Sequence, residues 1–266
     1  MGRPDDVRLS FNEVPEIYDQ ARPTYPAPLY DALFEALPPR PHIVEMGPGT
    51  GQATGDLLAR GATVHAVEIG PATAAKLRSN LPTDRLDVTV GDFEEVRLPA
   101  GTADAVFAAT AYHWVSLPAQ TSRPAQLLRP GGVVAIVDLV QVDSASDRGF
   151  FAAAQPIYER YGQGHSGPPA PARSDVDSTM RSVLEADRRF ERIAVRRYDW
   201  DQTYSASHYR NLMLSYSVTQ MMEETARAGL LDDMQTLIEQ DFGGQITRPL
   251  VATLTTGVLR EVTVTR

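Results

Sequence analysis

Cysteine is absent from this 266-residue chain, and lysine occurs once, at Lys76. Without cysteine there are no disulfides, no thiolate zinc sites and no thiolate nucleophile. Lys76 lies far from any glycine turn, so a phosphate loop ending in Gly-Lys-Ser/Thr is excluded, and with it a Walker-type ATPase. No apolar run approaches the ~18 residues of a membrane-spanning helix, and residues 1–10 are polar and charged rather than a secretory leader. The expectation is a cytoplasmic protein with no membrane partner. No set of His, Asp and Glu has the spacing of metal ligands, so no metal is expected. Basic residues are also few: 25 Lys and Arg stand against 34 Asp and Glu, a net charge of −9. The dense basic pairs, Arg188-Arg189 and Arg196-Arg197, sit among acids. A nucleic-acid binder presents a basic face, so nucleic acid is not an expected partner.

What the chain does contain is a series of short apolar runs that end in glycine or acid. Ile43-Val44-Glu45-Met46 reads as a buried strand entering the turn Gly47-Pro48-Gly49-Thr50-Gly51, which opens a helix. Residues 63–67 form a second run closed by Glu68, and residues 86–91 a third followed by Asp92 and Phe93. A fourth run, residues 103–111, contains Thr110 near its end and leads into Tyr112-His113-Trp114. Leu127-Leu128-Arg129-Pro130-Gly131-Gly132 precedes a fifth, residues 133–137. Residues 190–200 and 246–258 read as strands six and seven. In a doubly wound sheet, ligands sit beyond the carboxyl ends of the parallel strands, so consecutive polar strand ends mark one nucleoside-sized site. A hydrophobic content of 42% suffices for one α/β domain with a cap.

The glycine order discriminates among nucleosides. A dinucleotide site uses G-x-G-x-x-G/A, whereas here Gln52 stands where the third glycine would fall, which weakens NAD. The ordered set of motifs resembles the class I S-adenosylmethionine-dependent methyltransferases from about residue 10 to the end. This implies an α/β Rossmann-like fold with a mostly parallel seven-stranded sheet, an antiparallel last strand and a helical cap. The resemblance makes S-adenosylmethionine the expected cofactor. It implies that Gly47, Gly49 and Gly51 let the backbone approach the cofactor, that Glu68 accepts the ribose hydroxyls, that Asp92 reads the adenine amino group, and that Ile69 and Phe93 pack on the ring. Glu45 corresponds to the acid that helps hold the methionine ammonium, and Thr110 is placed among the cofactor contacts. Lack of cysteine removes the cysteine-based pyrimidine C5 branch.

The leader Tyr18-Asp19-Gln20-Ala21-Arg22-Pro23-Thr24-Tyr25-Pro26, together with Ala111-Tyr112-His113-Trp114, resembles the small-molecule subgroup related to trans-aconitate methyltransferase. By that resemblance Tyr18 and Arg22 fold over the cofactor and meet its carboxylate. Read without it, Arg22-Pro23 and Tyr25-Pro26 form a stiff extended linker. An amphipathic helix carrying Leu29, Leu33, Phe34 and Leu37 follows.

The chain reads as one domain: a leader over residues 1–40, a cofactor-binding core over 41–140, a helix and a Gly/Pro-rich mobile loop (162–173) within 141–189, and the last strands over 190–266. A helical insertion at 201–243 comprises helices expected over 205–228 and 232–242. His113, just past strand four, is the candidate base, with Tyr112, Trp114, Tyr209 and Tyr216 as further substrate contacts. His42, His65, His165 and His208 have weaker claims. The expected activity is methyl transfer to a small metabolite. Two alternatives are use of the cofactor without methyl transfer, by aminopropyl transfer or cyclisation, and non-catalytic cofactor binding. The acceptor, the atom methylated and the oligomeric state are not legible.

Overall fold

A computed structural model describes residues 15–164 and 170–261. Residues 1–14 and the centre of the 162–173 loop, including His165, lie outside the described residues, so the leader's first part and the loop's expected mobility are not addressed. In chain order the elements are α1 (Pro15–Ala21), α2 (Ala27–Phe34), β1 (His42–Met46), α3 (Thr54–Ala59), β2 (Thr63–Glu68), α4 (Pro71–Asn80), β3 (Leu86–Val90), β4 (Ala103–Ala109), α5 (Ala119–Leu127) and β5 (Leu128–Gln141). There follow α6 (Phe150–Arg160), α7 (Met180–Ala186), β6 (Phe190–Ser205), α8 (Ala206–Leu214), α9 (Ser217–Gln220), α10 (Glu224–Asp241) and β7 (Gln245–Leu259).

The seven strands form one sheet in the order β3-β2-β1-β4-β5-β7-β6. Strands β1 to β5 pair in parallel, and β7 runs antiparallel to both β5 and β6. Central strands covered on both faces read as apolar runs rather than alternating ones, and β1 is buried from Ile43 through Met46. Ile43 joins the core beneath α2, α3 and α4 with Leu29, Leu57 and Leu77, whereas Val44 and Met46 join the opposite core with Leu127 and Leu184. The chain winds outward from β1 through β2 to β3, then returns to β4 on the other side of β1. That reversal opens a crevice beyond the carboxyl ends of β1 and β4.

The cap departs from the sequence reading. Strand β6 continues to Ser205, so the helical insertion begins at Ala206, where the Ser205 hydroxyl accepts the His208 amide N–H. The helix expected over 205–228 breaks at Ser215-Tyr216 and again at 221–223. Glu223 caps α10 by accepting the Ala226 N–H, and α10 then runs unbroken through the residues expected to separate two helices. The cap has its own apolar cluster, in which Phe150, Tyr209, Leu212 and Met234 are buried together. Met213 and Met234 are buried in the same cluster.

Candidate functional site

Two chambers lie beyond the sheet's carboxyl edge, one of about 240 Å3 and one of about 360 Å3. Tyr18, Arg22, Gly47, Thr110, His113 and Tyr216 line both, so they form the shared wall. The first chamber is completed by Glu68, Ile69, Gly91, Phe93 and Trp114. The second is completed by Tyr25, Glu45, Leu139, Gln141, Arg248 and Leu250. Strand ends from β1, β2, β3, β4 and β5 and the start of β7 therefore converge on one site.

The glycine turn is built for close approach. Gly49 has φ +61, and a Cβ there would stand 3.0 Å from the Tyr18 ring. Its N–H donates to Glu68 Oε2 at 3.1 Å, while the Gly70 N–H donates to Oε1 at 3.0 Å. A carboxylate offers about four acceptor positions, so these backbone bonds fix its orientation while leaving it able to meet a ligand. Gly51 serves differently from expectation: it does not line either chamber, and a Cβ there would collide with Leu77 and Leu81. Its small size lets the turn pack against α4. Gly49→Val should abolish binding of an adenosyl ligand and lower the melting temperature by several degrees. The new side chain combines left-handed strain of about 1–3 kcal/mol with intrusion at Tyr18. Calorimetry with S-adenosylhomocysteine and a melting curve check it; retained binding would mean that the turn does not cradle the ligand.

Glu45 is 1% exposed and accepts a 2.7 Å hydrogen bond from the Thr54 hydroxyl. Burial pushes its pKa up to about 8, opposed by the Thr54 bond and assisted by the negative charge of Glu68. Its buried environment therefore favours the protonated acid. Thr110 has φ 53, an unusual conformation for a β-branched residue, and its Oγ1 lies 3.0 Å from the Tyr25 hydroxyl. Such strain at a strand end that lines both chambers is a mark of a functional position.

The leader closes one side. Arg22 donates to the Ser215 carbonyl at 2.7 Å, and its guanidinium sits 4.8 Å from the Tyr18 ring centroid and 4.7 Å from that of Tyr216. Asn80 ties the leader to the glycine turn by donating to Asp19 (2.8 Å) and to the Thr50 carbonyl (3.0 Å). Behind Phe93, Arg123 donates from Nε to the Phe93 carbonyl at 2.9 Å and lies over the ring. Neither Asn80, Arg123, Gln141 nor Arg248 was singled out from sequence.

Two expected site residues lie elsewhere, and a third, Asp92, stands at the edge of the first chamber. Tyr112 is 2% exposed, packs in the core and donates its hydroxyl to the Gln120 carbonyl at 2.8 Å, so it lines neither chamber. Tyr209 is 3% exposed inside the cap, where its hydroxyl meets that of Tyr158 at 3.3 Å. The Asp92 carboxylate accepts the Glu94 N–H at 2.9 Å, and its neighbours Gly91 and Phe93, rather than Asp92, line the first chamber. His113 and Trp114 do stand at the site, with ring centroids 5.0 Å apart. His65 bonds Thr89 within the sheet, and His208 packs on Tyr204 in the cap. Among the described residues there is no group of three His, Asp or Glu placed to hold a metal, and no helix is long and apolar enough to cross a membrane.

Residues 44–136 match the family model of a methyltransferase domain. An uncharacterised methyltransferase of Mycobacterium tuberculosis is 36% identical over 132 residues, covering 50% of this chain and 53% of that relative. The trans-aconitate 2-methyltransferase of Deinococcus radiodurans is 32% identical over 167 residues, covering 58% of this chain and 62% of that one. The chain thus spans about half the length of the first of these curated relatives. A solved structure from Anaeromyxobacter dehalogenans, assigned as a type II methyltransferase, has the same fold, with a TM-score of 0.61 at 21% identity over 90% of this chain and 97% of that one.

Proposed function

We propose, from the methyltransferase domain that spans residues 44–136, that this protein binds S-adenosylmethionine in the first chamber and transfers its methyl group to a small molecule held in the second. The observation that carries the reading is the pair of chambers sharing a wall at Gly47, Thr110 and His113, with the buried carboxylate of Glu68 in one of them alone. The residues fit an adenosyl ligand. Glu68 is oriented by two backbone donors, and Phe93 and Ile69 offer apolar faces for a base. Arg22, on the shared wall, is the fork for the cofactor's carboxylate, and Glu45, which lines the second chamber beside that wall, is the partner for its ammonium, so the amino-acid end of the cofactor reaches past Gly47 while its adenosyl part fills the first chamber. Residues 1–266 act in this reading as one domain, with α1 as the lid and α8 to α10 as the cap.

When bound, the sulfonium supplies an activated methyl group: an acceptor lone pair forms the new bond as the carbon–sulfur pair returns to sulfur, leaving S-adenosylhomocysteine. The chain's task is to align the acceptor, exclude water and take any proton that the nucleophile carries. His113 is suited to the last because it is exposed at the wall common to both chambers. The net charge of −9 favours a metabolite over nucleic acid as acceptor.

Incubation with methyl-labelled cofactor and a metabolite extract tests the proposal. Label in a small-molecule product supports it; cofactor consumption without transfer, or binding without turnover, overturns it. His113→Ala should lower the maximal rate by roughly 10²–10⁴-fold with cofactor affinity nearly unchanged. A raised Michaelis constant for the acceptor at an unchanged maximal rate would instead assign His113 to shaping the pocket.

A further inference from the structure

The sheet ends on β6, and among the described residues no strand pairs with its outer edge. From Ala194 to Ser205 the register with β7 is regular; the shift lies at 191–194, where Arg192 has φ 52. The hydrogen-bonding phase of the edge follows from β7. The Ala206 N–H donates to the Gly244 carbonyl, while on the other side of β7 the Val142 N–H donates to the Pro249 carbonyl. Even-numbered residues of β7 therefore face β6, and their even-numbered partners in β6 face back. Val195, Arg197, Asp199, Asp201 and Thr203 are left with backbone N–H and C=O groups turned outward.

Exposed charges ordinarily keep such an edge from pairing. Here their order favours one partner. Arg196 and Arg197 precede Tyr198, Asp199 and Asp201 follow it, and all four charged residues are exposed. An antiparallel copy of the strand reverses that order, so that basic residues face acidic ones. With a two-fold axis through Tyr198, Arg197 stands opposite Asp199 of the second copy and Asp199 opposite its Arg197. Arg196 then stands opposite Trp200 of the second copy, a cation beside an aromatic ring, and the two Tyr198 residues meet on the axis. Axes through Arg196, Arg197, Asp199 or Asp201 would set a like charge against itself, and an axis through Trp200 would set Asp199 against Asp201. The charges thus select a single register over this stretch.

We infer that β6 pairs with β6 of a second copy of this chain about a two-fold axis at Tyr198, joining the two seven-stranded sheets into one. Across residues 195–201 the pairing supplies about eight further backbone hydrogen bonds. The side chains involved are only loosely held within one copy. Arg197 donates to the Ser174 and Arg173 carbonyls and stands 4.0 Å from its own Asp199, and Arg196 meets Glu35 at 3.1 Å on the surface. Exposed ion pairs of this kind contribute little and exchange readily. An open groove of about 530 Å3 runs between α2 and β6 beside Arg196, Arg197 and Tyr198, so α2 does not close off this stretch. None of residues 195–201 lines either chamber, so the pairing stretch lies apart from the site.

Sedimentation velocity on the full-length protein is the first test. Wild type should pass from monomer to dimer between about 1 and 200 µM, and the dimer should weaken as salt rises from about 0.05 to 0.5 M. A monomer throughout overturns the inference, and this reading needs no variant. Tyr198→Cys then places a thiol on the axis of a chain that otherwise has no cysteine, where opposed Cα atoms of a non-hydrogen-bonded pair stand about 4.5 Å apart, within disulfide reach. Mild oxidation should cross-link it, whereas Arg196→Cys, whose two copies stand about 13 Å apart along the strands, should stay uncross-linked. A wild-type dimer in which Tyr198→Cys fails to cross-link, or in which Arg196→Cys cross-links as readily, puts the contact elsewhere and overturns the inference. Finally, Arg197→Asp and Asp199→Arg should each be monomeric alone and form a heterodimer when mixed, because each restores the charge that the other has lost. Both should keep S-adenosylhomocysteine affinity within about twofold of wild type. A dimer that survives in either variant, or a mixture of two folded variants that stays monomeric, would also overturn it.

Discussion

Replacing Glu68 with alanine should weaken S-adenosylhomocysteine binding by at least ~2 kcal/mol, about thirtyfold, and should also destabilise the protein without ligand. The affinity loss follows from two charge-assisted contacts to the ribose hydroxyls, each typically worth about 1.5–3 kcal/mol. The stability loss has a separate origin. Glu68 is 7% exposed and accepts the N–H groups of Gly49 and Gly70, which would lose their acceptor in a place that water reaches poorly. A buried donor left without a partner costs about 1–3 kcal/mol, so the melting temperature should fall by several degrees. Calorimetry and thermal melts read the two effects independently. Unchanged affinity together with a lowered melting temperature would make Glu68 a structural brace for the glycine turn and nothing more.

Glu45→Gln should have the opposite effect on stability and should weaken cofactor binding. Burial raises the folded-state pKa of Glu45 from 4.5 to about 8, so the folded protein prefers the protonated acid. As pH climbs from 4.5 towards 8, the unfolded chain releases that proton while the folded one retains it. The folded state without ligand therefore loses up to ~1.4 kcal/mol per pH unit over this window from this group, and nothing further above it. Glutamine never ionises and can still accept the Thr54 hydroxyl. The variant should match wild type near pH 5 and melt several degrees higher at pH 8.5. Binding runs the other way, because an ammonium needs the carboxylate. Wild-type affinity for S-adenosylhomocysteine should rise from pH 6 to pH 8, with proton release visible as a buffer-dependent heat, and the variant should bind more weakly and lack that rise. A variant less stable than wild type at both pH values would contradict the assignment of Glu45 as a buried acid held against its charge.

The centre of the sheet was legible because β1 and β4 are buried on both faces and so read as apolar runs. Glu68, Thr110 and His113 stand at or just past the ends of apolar runs, and their expected roles came from the resemblance. The cap was harder. Residues 205–228 keep a helical spacing of apolar side chains through Ser215 and Tyr216, yet the helix ends there. The Ser215 hydroxyl turns back to the Leu212 carbonyl, and Arg22, 193 residues away, takes the Ser215 carbonyl. A break fixed by so distant a partner leaves no local sign. Tyr112 and Tyr209 illustrate a second limit. Their neighbours His113 and Tyr216 reach the chambers, but a rotation of one residue in a short turn, or one helix face, decides which aromatic faces the core. Arg248 illustrates a third: within a β-branched run it reads as a solvent-facing position, and its environment exists only once β5, β7 and the cap meet.

The central claim is that the two chambers divide the work, the first holding the adenosyl group and the second the acceptor. A crystal structure of the protein with S-adenosylhomocysteine tests it most directly. The account predicts the ribose on Glu68, the base between Ile69 and Phe93, and the sulfur at the Gly47–Thr110–His113 wall facing toward Arg248. A nucleoside seated in the second chamber on Arg248, with Glu68 bonded only to Gly49 and Gly70, would contradict it.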